Sequence, residues 1–176
     1  MAVRTIIRMG HPTLRQRAPE VPPADIGSAA LSALVEDMVD TLHDAGGIGL
    51  AAPQIDEPLR LMIIDMPGGP SRYGEIEALP LTVFINPKVK VLDASTAGHW
   101  EGCLSVPGLR GYVERPQKVQ VDFIDMAGQA QQLILDGFRA TCLQHEFDHL
   151  EGRLYIDLIQ DTRKLAYDEE YTRYEL

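Results

Sequence analysis

The residues best suited to chemistry are His145, Glu146 and His149, in the run Gln144-His145-Glu146-Phe147-Asp148-His149-Leu150-Glu151-Gly152. In a helix, positions four apart lie one turn from each other on one face, so two imidazoles with this spacing can bind one divalent cation side by side. Glu146, between them, is placed to take a proton from a water that the metal activates. The surrounding pattern favours a helix. Ala140, Leu143, Phe147 and Leu150 make one apolar stripe, and Phe138, Cys142, His145 and His149 make a second. Asp136 is a candidate cap at the start and Gly152 a stop. A helix lined on two sides runs through an interior, which shields a metal from bulk water.

A catalytic ion needs a third protein ligand. The longer metalloprotease pattern, which continues to a third histidine, has Gly152 in register but Tyr155 at the last position, a poor ligand. Glu169 and Glu170 offer the glutamate that a metallopeptidase takes from a later helix, but nothing in the pattern of the acidic tail would aim them. Cys142 lies about 10 Å from His149 along a helix, too far for three ligands on one ion, and reads as pocket wall. That leaves Cys103, in Glu101-Gly102-Cys103-Leu104-Ser105: a thiolate is the soft ligand a nitrogen pair lacks, and Gly102 permits close backbone approach. The competing reading is a closed, non-catalytic four-ligand site, which only His99 or Cys142 is available to complete. Gln54, a potential oxyanion donor, and Glu146 argue against it, because a structural site needs neither.

Three stretches taken together, Gly47-Ile48-Gly49-Leu50-Ala51-Ala52-Pro53-Gln54, the Glu101–Ser105 run and the Gln144–Gly152 run, resemble the three signature motifs of the peptide deformylase family, in that family's order and spacing. The resemblance covers nearly the whole chain. It implies one catalytic domain over residues 1–176 that hydrolyses the N-terminal formyl group of N-formylmethionyl nascent peptides, releasing formate and a free N-terminal methionine. It implies one divalent metal on Cys103, His145 and His149, with Fe(II) the natural ion and Zn, Ni or Co able to substitute. Glu146 is then the proton shuttle, and the Gln54 amide and the Leu104 backbone N–H are the oxyanion donors. Ile48 and Gly49 line the cleft. The methionine slot falls to Ile48, His99, Phe138, Thr141 and Cys142, where His99 and Thr141 are more polar than expected. Arg110 is either a solvated charge or a contact to the substrate's peptide backbone. Arg115 is a candidate partner for Glu101, bracing the site from behind. Many bacterial members end in a longer basic helix thought to dock on the ribosome; the acidic segment from Asp161 to Leu176 does not match it, so docking by that route is not expected.

Composition sets outer limits. A length of 176 residues suffices for one domain with a real core, and 45% hydrophobic with 24% charged residues is ordinary for a soluble globular protein. A formal net charge of −10 argues against non-specific nucleic-acid binding. No stretch reads as a signal peptide or a membrane span, and two cysteines cannot build a disulfide framework, so a reducing cytoplasm is expected.

The elements that must position these residues can be read in outline. Residues 10–27, punctuated by prolines, read as an extended surface arm; a helix runs from Ser28 to about Asp44, with Leu31, Leu34, Val35, Met38 and Leu42 buried. Strands are expected over 59–66, 82–85 and 89–92, the last two broken by Asn86-Pro87, with a loop over 67–80. Further strands over 118–124 and 131–135 flank a hairpin at 126–129. Helices and strands do not alternate regularly, which makes the class α+β. The family resemblance sharpens this to mixed and antiparallel sheets packed around the helix that carries the His-Glu-x-x-His motif in the C-terminal half.

Overall fold

The computed structural model describes residues 2–71 and 74–175; Met1, Arg72, Tyr73 and Leu176 lie outside the described residues. Helix α1 (Ala29–Asp44) starts where the Ser28 hydroxyl accepts the Leu31 N–H at 3.1 Å, and stops at Gly46, whose φ of +63° is easy for glycine. Its buried face, Leu31, Val35, Met38 and Leu42, packs with Leu50, Ile55, Leu61, Ile63 and Ile85 in one part of the core. Leu34, also expected there, is partly buried beside it.

Six strands form the main sheet: β1 (Gly49–Ala51), β2 (Leu61–Met66), β5 (Leu79–Cys103), β6 (Val106–Ile124), β7 (Ala130–Asp136) and β8 (Leu165–Tyr167). The order is β1-β2-β5-β6-β7, with β8 paired to the early part of β6, and every pairing among the described strands is antiparallel. The strands expected over 82–85 and 89–92 prove to be one strand. Asn86-Pro87 does not break it, because Asn86 adopts φ +51° and absorbs the extra residue in a register shift between Ile85 and Lys88. The Asn86 side chain also accepts the Val21 N–H at 2.8 Å and donates to the Val21 carbonyl at 3.0 Å, copying a strand partner.

That contact draws in the N-terminal arm. Leu14, Ala18 and Val21 are buried, and Pro12–Arg15 and Pro23–Asp25 form 3₁₀ turns, so the arm is not a surface ribbon. Its prolines preset turns instead of preventing packing. The expected loop over 67–80 carries a hairpin, β3 (Gly69–Ser71) with β4 (Gly74–Ile76). The acidic tail is likewise ordered: β8 is followed by α3 (Asp168–Tyr174), whose Tyr171 is buried against Trp100 with ring centres 5.0 Å apart.

Helix α2 (Gly137–Leu150) packs Ala140, Leu143 and Leu150 against Met62, Ile64, Phe84, Val119, Val121 and Leu135. Asp136 stands at its cap position but makes no capping bond; its carboxylate takes Arg139 at 2.6 Å. Phe147, from the expected apolar stripe, is only partly buried and lies under the Arg60 guanidinium, 5.0 Å from the ring centre. Gly152 ends the helix at φ +71°, and a Cβ there would stand 2.8 Å from the carbonyl carbon of Arg15. Gly152→Ala should therefore lower stability by at least about 1–2 kcal/mol, from positive φ before any steric clash. Thermal denaturation checks this; an unchanged Tm would show that neither the turn nor the Arg15 approach constrains the helix end.

Candidate active site

Two elements converge on one point. Cys103 is the last residue of β5, just before the turn into β6, while His145 and His149 lie on one face of α2. Their donor atoms all fall within 4.8 Å of one another, and Cys103 Sγ is 3.2 Å from His149 Nε2. Among the described residues this is the one such cluster. A thiolate and two imidazoles this close fit a single first-row divalent ion, and three protein donors leave room for a further ligand. Cys142, His99, Glu169 and Glu170 are not gathered there. Neither the fourth ligand of a closed site nor the glutamate of a metallopeptidase is in place.

Buried charge fixes the His145 ring. Glu101 faces His145 Nδ1 at 2.8 Å and accepts two bonds from Arg115, at 2.5 and 3.0 Å. Arg115 reaches on to Asp148 at 2.8 Å, and Arg153 completes the chain at 2.6 Å from Asp148. Glu101, Arg115 and Asp148 are all buried. Burial pushes the Glu101 carboxyl up, but His145 and Arg115 outweigh it and hold it at about 2. Burial draws His149 well below the usual histidine range, keeping the imidazole neutral and its nitrogen available as a ligand.

Glu146 faces the cleft from the turn between the two histidines. Burial pushes its carboxyl up to about 7, and its Oε2 is buried with no protein partner. Space for the carboxylate comes from Gly49, where a Cβ would lie 2.5 Å from Glu146 Oε1. Gly49 thus makes room for a side chain of the protein itself, besides lining the cleft. Gln54 is clamped from behind: its Oε1 accepts the Ala51 N–H at 2.8 Å, so its NH₂ points to Ser105 Oγ at 3.3 Å and Cys103 Sγ at 3.6 Å.

A cleft of about 440 Å³ opens over these groups. Ile48, Gly49, Gln54, Leu104, Arg110, Phe138, Thr141, Cys142 and Glu146, all singled out from sequence, line it, with Cys103 and His145 at the metal cluster. His99 does not. Phe138 forms that part of the wall, and the His99 ring packs edge-on against it at 5.9 Å. Arg110 is not a solvated charge: it is 8% exposed, with Nε 2.5 Å from Asp168. The sequence reading missed Ile76, Pro107, Gly108, Leu109 and Asp168, which also line the cleft, and Asp148, which anchors Arg115. Asp148 was findable as a charged residue inside a buried helix, whereas Ile76 and Asp168 arrive through pairings of β4 and β8 that no local pattern announces.

The chain matches the family model described as polypeptide deformylase over residues 3–165. It is 41% identical to the peptide deformylase of Leptospira biflexa, over 97% of this chain and 95% of that protein. It is 44% identical to peptide deformylase 2 of Pseudomonas syringae pv. tomato, over 94% and 92% respectively. The crystal structure of a peptide deformylase from Synechococcus elongatus in complex with actinonin superposes with a TM-score of 0.81 at 34% identity, covering 98% of this chain and 86% of that one. The Met-Ala-Ser-bound class I type b enzyme from Acinetobacter baumannii gives 0.86 at 32% identity, covering 90% and 99%.

Because the folded value of Glu101 is depressed, its contribution to stability is complete above about 4.5 and is lost as the pH falls towards about 2. Glu101→Gln should flatten that acid limb in a pH series of denaturation midpoints. A limb as steep as the wild type's would assign acid sensitivity to other carboxylates.

Proposed function

This chain belongs to the polypeptide deformylase family, metal-dependent hydrolases that remove the N-terminal formyl group from nascent peptides, and from that premise we propose how its own residues perform the reaction. The observation that carries the reading is the buried Glu146 carboxylate, facing a cleft beside one thiolate and two imidazoles. Cys103, His145 and His149 would hold a divalent ion, with Fe(II) the natural choice and Zn, Ni or Co able to substitute, and that ion would supply Lewis acidity toward the formyl carbonyl and water.

Glu146 takes the proton of the attacking water and returns it to the leaving amine, a task suited to a group with a value near 7. Oxygen adds to the formyl carbon, the carbon–nitrogen bond breaks, and formate and a free N-terminal methionine result. The Gln54 amide, its oxygen already held by Ala51, and the Leu104 backbone N–H donate to the oxyanion that develops. Because Gln54 is oriented before substrate arrives, it costs no reorganisation at the moment of reaction. Ile48, Phe138, Thr141 and Cys142 form the slot for the methionine side chain, with His99 contributing through Phe138. Arg110 meets the peptide backbone beyond it. The antiparallel sheets act as one catalytic domain packed around α2, which carries both histidines.

The partner is the N-formylmethionyl nascent chain. No helix among the described residues is long and apolar enough to cross a membrane. A substrate made at the ribosome supports a cytoplasmic location. The net charge of −10 argues against non-specific nucleic-acid binding. The tail is acidic and partly committed to β6 and Trp100, which disfavours it as a ribosome-docking helix.

Glu146→Gln should keep one metal per chain and lose about 10²–10⁴-fold in kcat, whereas Cys103→Ala should lose the metal as well. Metal analysis together with formate assays separates the two, and wild-type turnover in Glu146→Gln would remove the proton-shuttle role. Glu146 must be ionised to act as a base, so kcat/KM should rise with pH along a limb centred no higher than about 7, since a cation beside a carboxylate draws its pKa down. A pH–rate profile whose acid limb survives unchanged in the residual activity of Glu146→Gln would contradict this.

A further inference from the structure

The family match ends at residue 165, yet Asp168 lines the cleft. It is delivered there by a segment with three anchors. Strand β8 pairs with β6 at Leu109, Arg110 and Gly111; the Lys164 ammonium sits 4.2 Å over the Tyr112 ring; and Tyr171 is buried on Trp100. Asp168 Oδ1 lies 2.5 Å from Arg110 Nε, the stem end of the guanidinium fork. At the other end, Arg110 Nη1 reaches over Gly102, where a Cβ would lie only 2.2 Å away. The guanidinium is thus laid flat along the cleft wall next to Cys103, with its side chain 10% exposed and that of Asp168 44% exposed. A long cationic side chain lacking such a brace must be ordered by the substrate, at a cost in binding.

We infer that Asp168 is a positioning residue for peptide recognition: it holds the Arg110 guanidinium in the orientation that binds the substrate backbone beyond the formylated methionine. The C-terminal segment is therefore part of the substrate site. This rests on the reading of Arg110 as the peptide-backbone contact. Loss of Asp168 should weaken binding and leave the chemical step intact, because Asp168 touches neither the metal cluster nor Glu146.

The test is formate-release kinetics on formyl-Met-Ala-Ser with the metal-loaded enzyme, together with calorimetric binding of unformylated Met-Ala-Ser. Asp168→Ala should raise KM and the product Kd about 5- to 10-fold with kcat within about twofold. Asp168→Asn, which keeps an acceptor for Nε–H, should fall between it and the wild type. Glu169→Ala, which removes the same charge from the neighbouring exposed position, should match the wild type. In an Arg110→Ala background Asp168→Ala should add less than about twofold. An Asp168→Ala enzyme indistinguishable from Glu169→Ala, one with a lowered KM, or effects that multiply fully with Arg110→Ala would each overturn the proposal. Should the wild type release no formate, the deformylase reading falls, and the calorimetric series still decides whether Asp168 acts through Arg110.

Discussion

The Glu101 carboxylate, buried between Arg115 and His145, is the interaction on which the rest of the site depends. A carboxylate taken out of water is costly unless its oxygens are matched by donors, and here both are. Its partners come from β6 and α2, while Glu101 itself is two residues from Cys103 on β5. One ion-pair network therefore sets the distance between the strand that brings the thiolate and the helix that brings the imidazoles. Asp148, on the same helix as the histidines, closes the network through Arg115. Breaking the Glu101–Arg115 pair leaves a buried charge unmatched, so the geometry of the candidate metal cluster and the packing of α2 depend on each other.

Around that frame the site works by excluding water. Glu146 is 5% exposed, and the same burial that raises its pKa is what would fit it for the proposed proton exchange near neutrality. Glycines provide the clearance. Gly49 leaves space for the Glu146 carboxylate and Gly102 for the Arg110 guanidinium, each so close that a Cβ there would force that side chain to move. Both belong to motifs that also carry a reactive or polar group, Gln54 in one and Cys103 in the other. Each motif thus combines a functional side chain with the room that a neighbouring element's side chain needs.

How much of this was legible in the sequence follows from how local each feature is. The spacing of His145, Glu146 and His149 is a property of a single helix, and the two apolar stripes beside it identify that helix without tertiary information. α1 and the β6–β7 hairpin were equally plain, from a capping serine and from alternation. What escaped was set by long-range pairing. Asn86-Pro87 looks like a break, yet Asn86 bulges the strand and binds Val21, 65 residues earlier in the chain. Leu14, Ala18 and Val21 sit among prolines, and they are buried through long-range contacts such as that pairing and the bond from the Ala18 N–H to the Leu150 carbonyl. Asp168 reaches the cleft because β8 adds to β6, and His99 leaves the wall because Phe138, from a different element, fills it. The candidate metal cluster was recoverable because a thiolate and two imidazoles have few other reasons to share a motif set. The outer wall was not, because any side chain of suitable shape can build it.

The most direct test of the central claim is a product balance on formyl-Met-Ala-Ser, with protein purified without oxygen and reloaded with Fe(II) or Ni(II). Formate and free Met-Ala-Ser should appear in equal amounts, with no shorter peptide, and unformylated Met-Ala-Ser should remain intact. Cleavage at an internal peptide bond, or no formate from protein carrying one metal per chain, would contradict the account.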